Sequence, residues 1–541
     1  MTPPARLRPV GERALSVEIG EGPDAAASER VRALDAALRG EPPPGLLETV
    51  PGLRALLAVF DPARTSADEV GAWAVARLSV PAGPAAPPAR HEIPVHYGGE
   101  DGPDLDDVAA RSGLAPAEVI ERHVAREYTA LMLGFMPGFA YLGSLAPELH
   151  VPRRATPRTR VPAGSVAIAA GQTAVYPAAT PGGWHLIGRT TVPLFDPRAD
   201  PPARIRPGDR VRFVAVARDG LPEPPPRPGE AARDDAFGVE VLEAGLLTTV
   251  QDPGRNGWRR YGVGAAGALD PRALAAANAA AGNAPGAAAL ECTVAGPALR
   301  FRAAAFFAVA GADLGAVLHR ADLGAWRVPL GARVRARPGN VLSFEGRREG
   351  CRAYVAFGGG LDVPVVLGSR ATDLPGGFGG HAGRALREGD VLPLGRPVGD
   401  AASARATPLT APGGEATTLR VVLGPQDDFF TGDALRTLLA SEYFVRETSD
   451  RVGCRLEGPA LAHRAGAEIA SEGMLPGCIQ VPPDGLPIVM GADGPTTGGY
   501  PKIATVIQAD RPALAQLVPG VSRVRFAAVT VEEAVAAIIA G

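Results

Sequence analysis

Lysine is almost missing: Lys502 is the only one in 541 residues, and arginine has taken every other basic position. A nucleotide-binding P-loop ends in a lysine, a biotin carrier needs one to modify, and no glycine-rich stretch closes in GK followed by Ser or Thr. The chain is therefore neither a P-loop NTPase nor itself biotinylated. One surviving lysine points either to a place where a planar guanidinium does not replace a compact ammonium or to chance survival at a neutral surface position. Cysteine is scarce too. Cys292, Cys351, Cys454 and Cys478 form no CxxC pair and have no histidine at ligand spacing, which argues against structural zinc and for reduced thiols in or near the core. Cys292, beside Glu291, and Cys454 remain nucleophile candidates. Long apolar runs are missing: the longest, such as residues 303–312, are too short to span a bilayer, and the N-terminus has no signal-peptide core. A soluble, cytoplasmic protein is expected. The net charge is −3 with neither sign dominating a long stretch, so nothing attracts a polyanion such as nucleic acid.

The length exceeds one ordinary core. Residues 218–236 combine Pro, Gly and charge with few large apolar side chains, which cannot offset the entropy of ordering, and read as a linker between two halves. Weaker joints fall at 81–90 and 404–416. Before the first joint, ALSVEIG and LLAVFD read as strands and two segments carry helical periodicity, giving a small α+β unit over residues 1–85. From Ile93 onward, short strands punctuated by Gly and Pro dominate, with a helix at 116–127. This is a mainly β chain of barrels or sandwiches. Asp270, Pro271 and Gly282 bracket a further helix, and Thr530 with Glu533 start the last one. Residues 164–184 echo 477–500, each running from Gly and a strand to a Thr-containing GG-aromatic turn, so the halves are expected to contain related barrels.

Three clusters carry the polar chemistry. The first is GFMPGFAYLG at 134–143, followed by Arg153, Arg158, Gln172, His185 and Arg189, a set suited to an anionic or planar ligand; His123, on the preceding helix, is a general-base candidate. The second is the QDPGR turn, where Gln251, Asp252 and Arg255 can converge on one substrate, with Asn278 in an alanine-rich helix and Glu291 in an apolar stretch nearby. The third gathers Asp450, Arg451, Glu472, Gln480, Asp493, Thr497, Tyr500 and Lys502 among short strands. Strand alternation would put Tyr500 and Lys502 on one face, where an ammonium beside a phenol could neutralise phosphate or a developing oxyanion.

GFMPGFAYLG, VPAGSVAIAAGQTAVYP and TPGGWHLIGRT resemble the family of the 5-oxoprolinase B component, also called KipI or allophanate hydrolase subunit 1. QDPGRNG, GALDPRALAAANAAAGN, SDRVGCRLEG and TTGGYPKIATVIQAD resemble the C component, called KipA or allophanate hydrolase subunit 2. The resemblance implies a natural fusion, B then C: cyclophilin-like β-barrels in both halves, one at 88–217 and a tandem pair over 237–541, with an α+β N-terminal domain. It further implies a joint active site completed by a separate 5-oxoprolinase A-like protein, with ATP and Mg²⁺ as co-substrate, opening the 5-oxoproline lactam to L-glutamate. Lys502, Asp493, Tyr500, Asp252 and His123 are the expected catalytic residues, and Gln251, Arg255, Asn278, Gln480, Asp450, Arg451, Arg153, Arg158, Gln172, His185 and Arg189 the expected substrate-binding ones; no metal ligand set is expected. Two other readings stand beside it: a urea or amide carboxyltransferase module served by a biotin carrier in trans, and a KipI/KipA-type regulator of a histidine kinase. Homo-oligomerisation is left open. The chain departs from the pattern at Ala371, within SRAT where SRST is expected, and at Pro495, where a Gln is expected before TTGGY.

Overall fold

Alternation along one strand decides how the first unit sits. In Ala55–Phe60, Leu56, Ala58 and Phe60 pack under the helices Ala25–Gly40 and Ala67–Leu78, whereas Leu57 and Val59 face the other way, onto Met474, Leu475, Cys478 and Met490 near the far end of the chain. An antiparallel sheet commonly keeps one polar face in water. Here both faces are apolar, because the second is covered by the rear half. The four strands run in the order Arg6–Pro9, Ala14–Glu18, Ala55–Phe60, Leu46–Pro51.

The computed structural model describes residues 5–20, 25–78, 87–223, 237–396, 416–464 and 466–540. Most of the 218–236 linker and all but the last residue of the 404–416 joint lie outside them. Among the described residues no helix is long and apolar enough to cross a membrane.

Each half holds one closed seven-stranded barrel, and the two share one strand connectivity. In the front barrel the first strand, Arg90–Tyr97, runs parallel to the last, Arg210–Ala215; in the rear barrel Thr417–Leu423 runs parallel to Arg523–Ala528 in the same way. The penultimate strand closes on the first in both, His185–Arg189 in front and Lys502–Val506 behind. A two-stranded sheet accompanies each barrel, Arg158–Val161 with Thr180–Gly182 and Glu472–Gly473 with Thr497–Gly498. The echo in the sequence is thus a repeated fold: Ser165–Ala169 and Gln172–Val175 correspond to Cys478–Gln480 and Ile488–Met490.

Between the barrels the rear half is not a second barrel, as the expected tandem pair required. Residues 238–393 form a six-stranded and a five-stranded sheet packed face to face around Leu290, Phe301, Phe307, Leu342, Val355 and Phe357. The helix Pro271–Ala281 lies against the five-stranded sheet; Asp270 accepts from the Ala273 N–H at 2.9 Å, and Gly282, at φ +85°, closes it.

Candidate active site at the junction of the two halves

The halves are clamped by groups drawn from segments far apart in sequence. Glu48, buried on Leu46–Pro51, accepts from the Gly257 N–H at 2.9 Å and pairs with Arg259. Asp35 holds Arg260 at 2.7 Å. The GFMPGF loop slots between two rear segments: Phe135 donates its N–H to Thr497 Oγ1 at 3.1 Å and Gly138 donates to the Tyr261 carbonyl at 2.9 Å. Gly262, at φ +77°, permits this approach, since a Cβ there would lie 2.2 Å from the Met136 carbonyl oxygen.

Lys502 is buried, 1% exposed, at the edge of this junction. Its Nζ donates to Glu472 Oε1 at 2.5 Å; the same oxygen accepts from Gln426 Nε2 at 2.5 Å, and Gln426 Oε1 accepts the Lys502 N–H at 3.1 Å. Glu472 pairs in register with Gly498, next to the Thr497 that receives the front loop. The sister barrel identifies what is special here. The Gln426 N–H donates to the Lys502 carbonyl at 3.0 Å, and the Asp104 N–H donates to the Leu186 carbonyl at 2.9 Å; one residue further on, Gly424 and Gly98 make the matching bonds to Ile503 and Ile187. The position filled by Lys502 behind is filled by Leu186 in front. A barrel of this connectivity therefore does not require an ammonium at that place.

A chain of buried charge runs alongside. Arg451 is held by both oxygens of Asp493 at 2.8 Å, pairs with Glu291, and donates to the Gly267 carbonyl at 2.8 Å. Burial opposes its charge, yet Asp493 and Glu291 outweigh that and keep the guanidinium protonated far above its ordinary range. Glu291 is pushed up by burial but drawn further down by Arg451 and Arg352. Arg255, also buried, lies 3.7 Å from Asp373 Oδ2 and places its guanidinium carbon 4.9 Å from the centre of the Phe378 ring. Burial, aided by the like charge of Asp493, pushes the Asp373 carboxyl up to about 6.

In front of Phe378 opens a cleft of about 820 Å³. One wall comes from the front half, through Met136, Pro137, Pro177 and Phe195, and the other from the rear, through Val363, Phe378 and the Gly379–Gly383 loop. Phe195 meets Phe378 across it at 5.5 Å between ring centres. The size suits a small-molecule ligand.

Two sets of the expected residues form in the rear half, Gln251, Arg255, Arg451 and Asp493 in one and Gln480, Tyr500 and Lys502 in the other, but the structure gives other expected site residues different work. His123 sits in the front barrel core, its Nδ1 2.7 Å from the Tyr97 hydroxyl, its Nε2 2.9 Å from Thr173 Oγ1 and its ring stacked on Phe213; burial lowers it to about 3 and leaves no base for solvent or substrate. Arg158 is held bidentately by Asp104 at 2.8 Å, with Arg154 on the same carboxylate. His185 contacts the Pro152 carbonyl at 3.0 Å, Arg189 the Ala163 carbonyl at 3.2 Å, and Gln172 opens a hairpin strand paired to Ala169. The charged and amide side chains of the front cluster are thus consumed locally, apart from Arg153, which reaches toward Glu468 of the rear half at 3.8 Å. Asp252 organises its own turn, accepting from the Gly254 N–H, the Ser369 hydroxyl and the Arg370 N–H. Asn278 staples its helix to the Pro285 and Ala287 carbonyls, and Asp450 caps an exposed turn at Val452 and Gly453. Tyr500 precedes the strand that Lys502 opens, so the expected alternation between them does not apply; its carbonyl accepts from Gln480 at 3.3 Å. Gln426 and Asp373 were not foreseen, and among the described residues no three His, Cys, Asp or Glu side chains gather to hold a metal ion.

The model of the carboxyltransferase domain, subdomains C and D, matches residues 5–205, and that of subdomains A and B matches residues 261–528. The C component of 5-oxoprolinase from Escherichia coli is 39% identical over 300 residues, 55% of this chain and 94% of that protein. The B component of 5-oxoprolinase from Escherichia coli O157:H7 is 46% identical over 214 residues, 39% of this chain and 95% of that protein. The crystal structure of the protein TTHA0988 superposes with a TM-score of 0.82 at 37% identity, covering 95% of this chain and 99% of that one.

Proposed function

Because the chain belongs to the family of 5-oxoprolinase B and C components and carries counterparts of both in one polypeptide, we propose that it is the B/C part of an ATP-dependent enzyme that hydrolyses the 5-oxoproline lactam to L-glutamate. A separate 5-oxoprolinase A-like protein completes that enzyme. The observation that carries the reading is the near-full-length match to two parts of one enzyme, in a chain whose halves build a common cleft. Fusion fixes the two at high effective concentration.

A five-membered lactam is a resonance-stabilised amide with a poor leaving group, and ATP supplies the activation that water alone lacks. This chain has no phosphate loop ending in lysine, and among the described residues no three His, Cys, Asp or Glu side chains gather for a metal ion. The chain's own contribution is binding and charge. The cleft takes a compact ring between Phe195 and Phe378, Arg255 behind Phe378 offers positive charge to a developing oxyanion, and the Arg451–Asp493–Glu291 set keeps the surrounding field fixed. Lys502 is consistent with a working role, since the fold itself accepts leucine at the matching position.

The deciding assay combines the purified chain with the A-like protein, ATP, Mg²⁺ and 5-oxoproline and measures glutamate and ADP. Release of ADP that depends on 5-oxoproline is the expected result. Turnover of urea or another amide, and only with a biotinylated carrier, would favour the carboxyltransferase reading instead.

A further inference from the structure

Two donors and two acceptors in neighbouring residues of the rear half are buried without hydrogen-bond partners: Nε and Nη1 of Arg255, Oε1 of Gln251 and Oδ2 of Asp373, of which Nη1 and Oδ2 form a loose ion pair. Other unpartnered nitrogens are scattered, but among the described residues no other carboxylate or amide oxygen is left in this condition. The three residues are neighbours. Arg255 Nη1 stops 3.7 Å short of Asp373 Oδ2, beyond hydrogen-bond reach, and Gln251 Nε2 points at the carbonyl of Thr372, one residue from Asp373, at 3.4 Å. The remaining atoms of each are fixed: Arg255 Nη2 donates to the Ala371 carbonyl at 2.5 Å, Asp373 Oδ1 accepts from the Gly376 N–H at 2.8 Å, and Gln251 Nε2 donates to Thr249 Oγ1 at 3.0 Å. The unmatched atoms are thus presented rigidly, and each carries the desolvation penalty of an unmade bond.

We infer that Gln251, Arg255 and Asp373 form an amide-recognition subsite at the inner wall of the junction cleft, in which Arg255 donates to a ring carbonyl oxygen and Asp373 with Gln251 accepts from the adjacent ring N–H. A carboxylate ligand would meet the arginine and be repelled by Asp373; an ammonium would do the reverse. A cis secondary amide, which a small lactam presents on one edge, meets both. The wall between subsite and cleft is one side chain thick, since Phe378 lies against Arg255 on one side and against Phe195 on the other. Gly379 beside it has no room for a side chain, which would approach Arg255 Nη2 to 2.8 Å. A lactam ring entering from the cleft reaches the set by displacing Phe378 from Phe195, and its flat face takes the place of that contact. The inference rests on the proposed reaction with a cyclic amide, and it names Asp373, which lies just beyond the SRAT departure, as the residue that distinguishes N–H from its absence.

The test is titration calorimetry on the full chain assembled with the A-like protein, comparing 5-oxoproline with its lactone analogue, in which a ring oxygen replaces the N–H, together with turnover of 5-oxoproline. The intact enzyme is expected to bind lactam over lactone by roughly tenfold or more. Asp373→Asn, nearly the same size, and Gln251→Ala should each lower lactam affinity by about tenfold and leave lactone affinity unchanged. Unchanged lactam affinity in both variants, with turnover intact in the parent, overturns the subsite and leaves the proposed function standing; the orphaned atoms then serve only buried water. Equal loss of lactam and lactone binding marks general distortion and also overturns it. Absence of any lactam turnover by the parent removes the proposed function and this inference together.

Discussion

Replacing Lys502 by methionine takes the ammonium from Glu472, which is 3% exposed, and leaves it the hydrogen bond from Gln426. At 2.5 Å the pair attracts by on the order of 6 kcal/mol at an effective dielectric near 20, and desolvation of the two ions offsets much of that, so the intact pair contributes little net stability. Its rupture is another matter. An unpaired buried carboxylate costs about 3–5 kcal/mol, and Lys502→Met should destabilise the rear barrel by that amount, whereas Lys502→Met combined with Glu472→Leu should return to within about 1–2 kcal/mol of the parent. Urea unfolding followed by tryptophan fluorescence reads both, and turnover with the A-like protein separates stability from chemistry: a double variant that is folded but inactive assigns the ammonium to the reaction. A single Lys502→Met that loses less than about 1 kcal/mol refutes the reasoning, because it means the carboxylate was never held dry.

His123 predicts an acid limb in stability: its folded value of about 3 lies below the ordinary 6.5, so the unfolded chain takes up the proton first, and stability present above pH 6.5 falls by up to about 5 kcal/mol as the pH drops toward 3. Circular-dichroism melts should show His123→Phe without that slope and with turnover per folded molecule retained. Asp373 predicts the opposite sign, since its folded value of about 6 exceeds the ordinary 3.8: stability is lost as pH rises between these values, and Asp373→Asn should gain up to about 3 kcal/mol at pH 7, with the gain vanishing below pH 4. Gly262→Ala, at a positive φ and against the Met136 carbonyl, should cost about 2 kcal/mol or more in the same melts and lower turnover by separating the GFMPGF loop from Thr497.

Features encoded locally were legible in the sequence. The caps at Asp270 and Gly282, the strands of the first unit, and the echo between 164–184 and 477–500 all follow from short-range patterns, and each has its counterpart in the structure. Lys502 stood out by composition alone. What escaped were pairings across long separations. Asp104 is 54 residues from Arg158, and nothing near either announces that the arginine is taken. Val119 and His123 are the buried residues of the helix Pro116–Val124, at a spacing of four, so the core-facing stripe was present in the pattern; a histidine looks the same in sequence whether that stripe faces a cleft or a core. Gln426 and Asp373 lie in GPQDD and TDLPGG turns, where polar residues are the ordinary filling and carry no functional signal.

The doubly apolar sheet at the front has a consequence for synthesis. A ribosome finishes residue 78 long before it reaches the segment around Met474 that covers Leu57 and Val59. At common elongation speeds the interval is roughly 20–80 s, during which a greasy surface waits for its cover at the tunnel exit. Until then the nascent chain carries an uncovered apolar face that favours association, and slow codons placed between the halves would prolong that exposure.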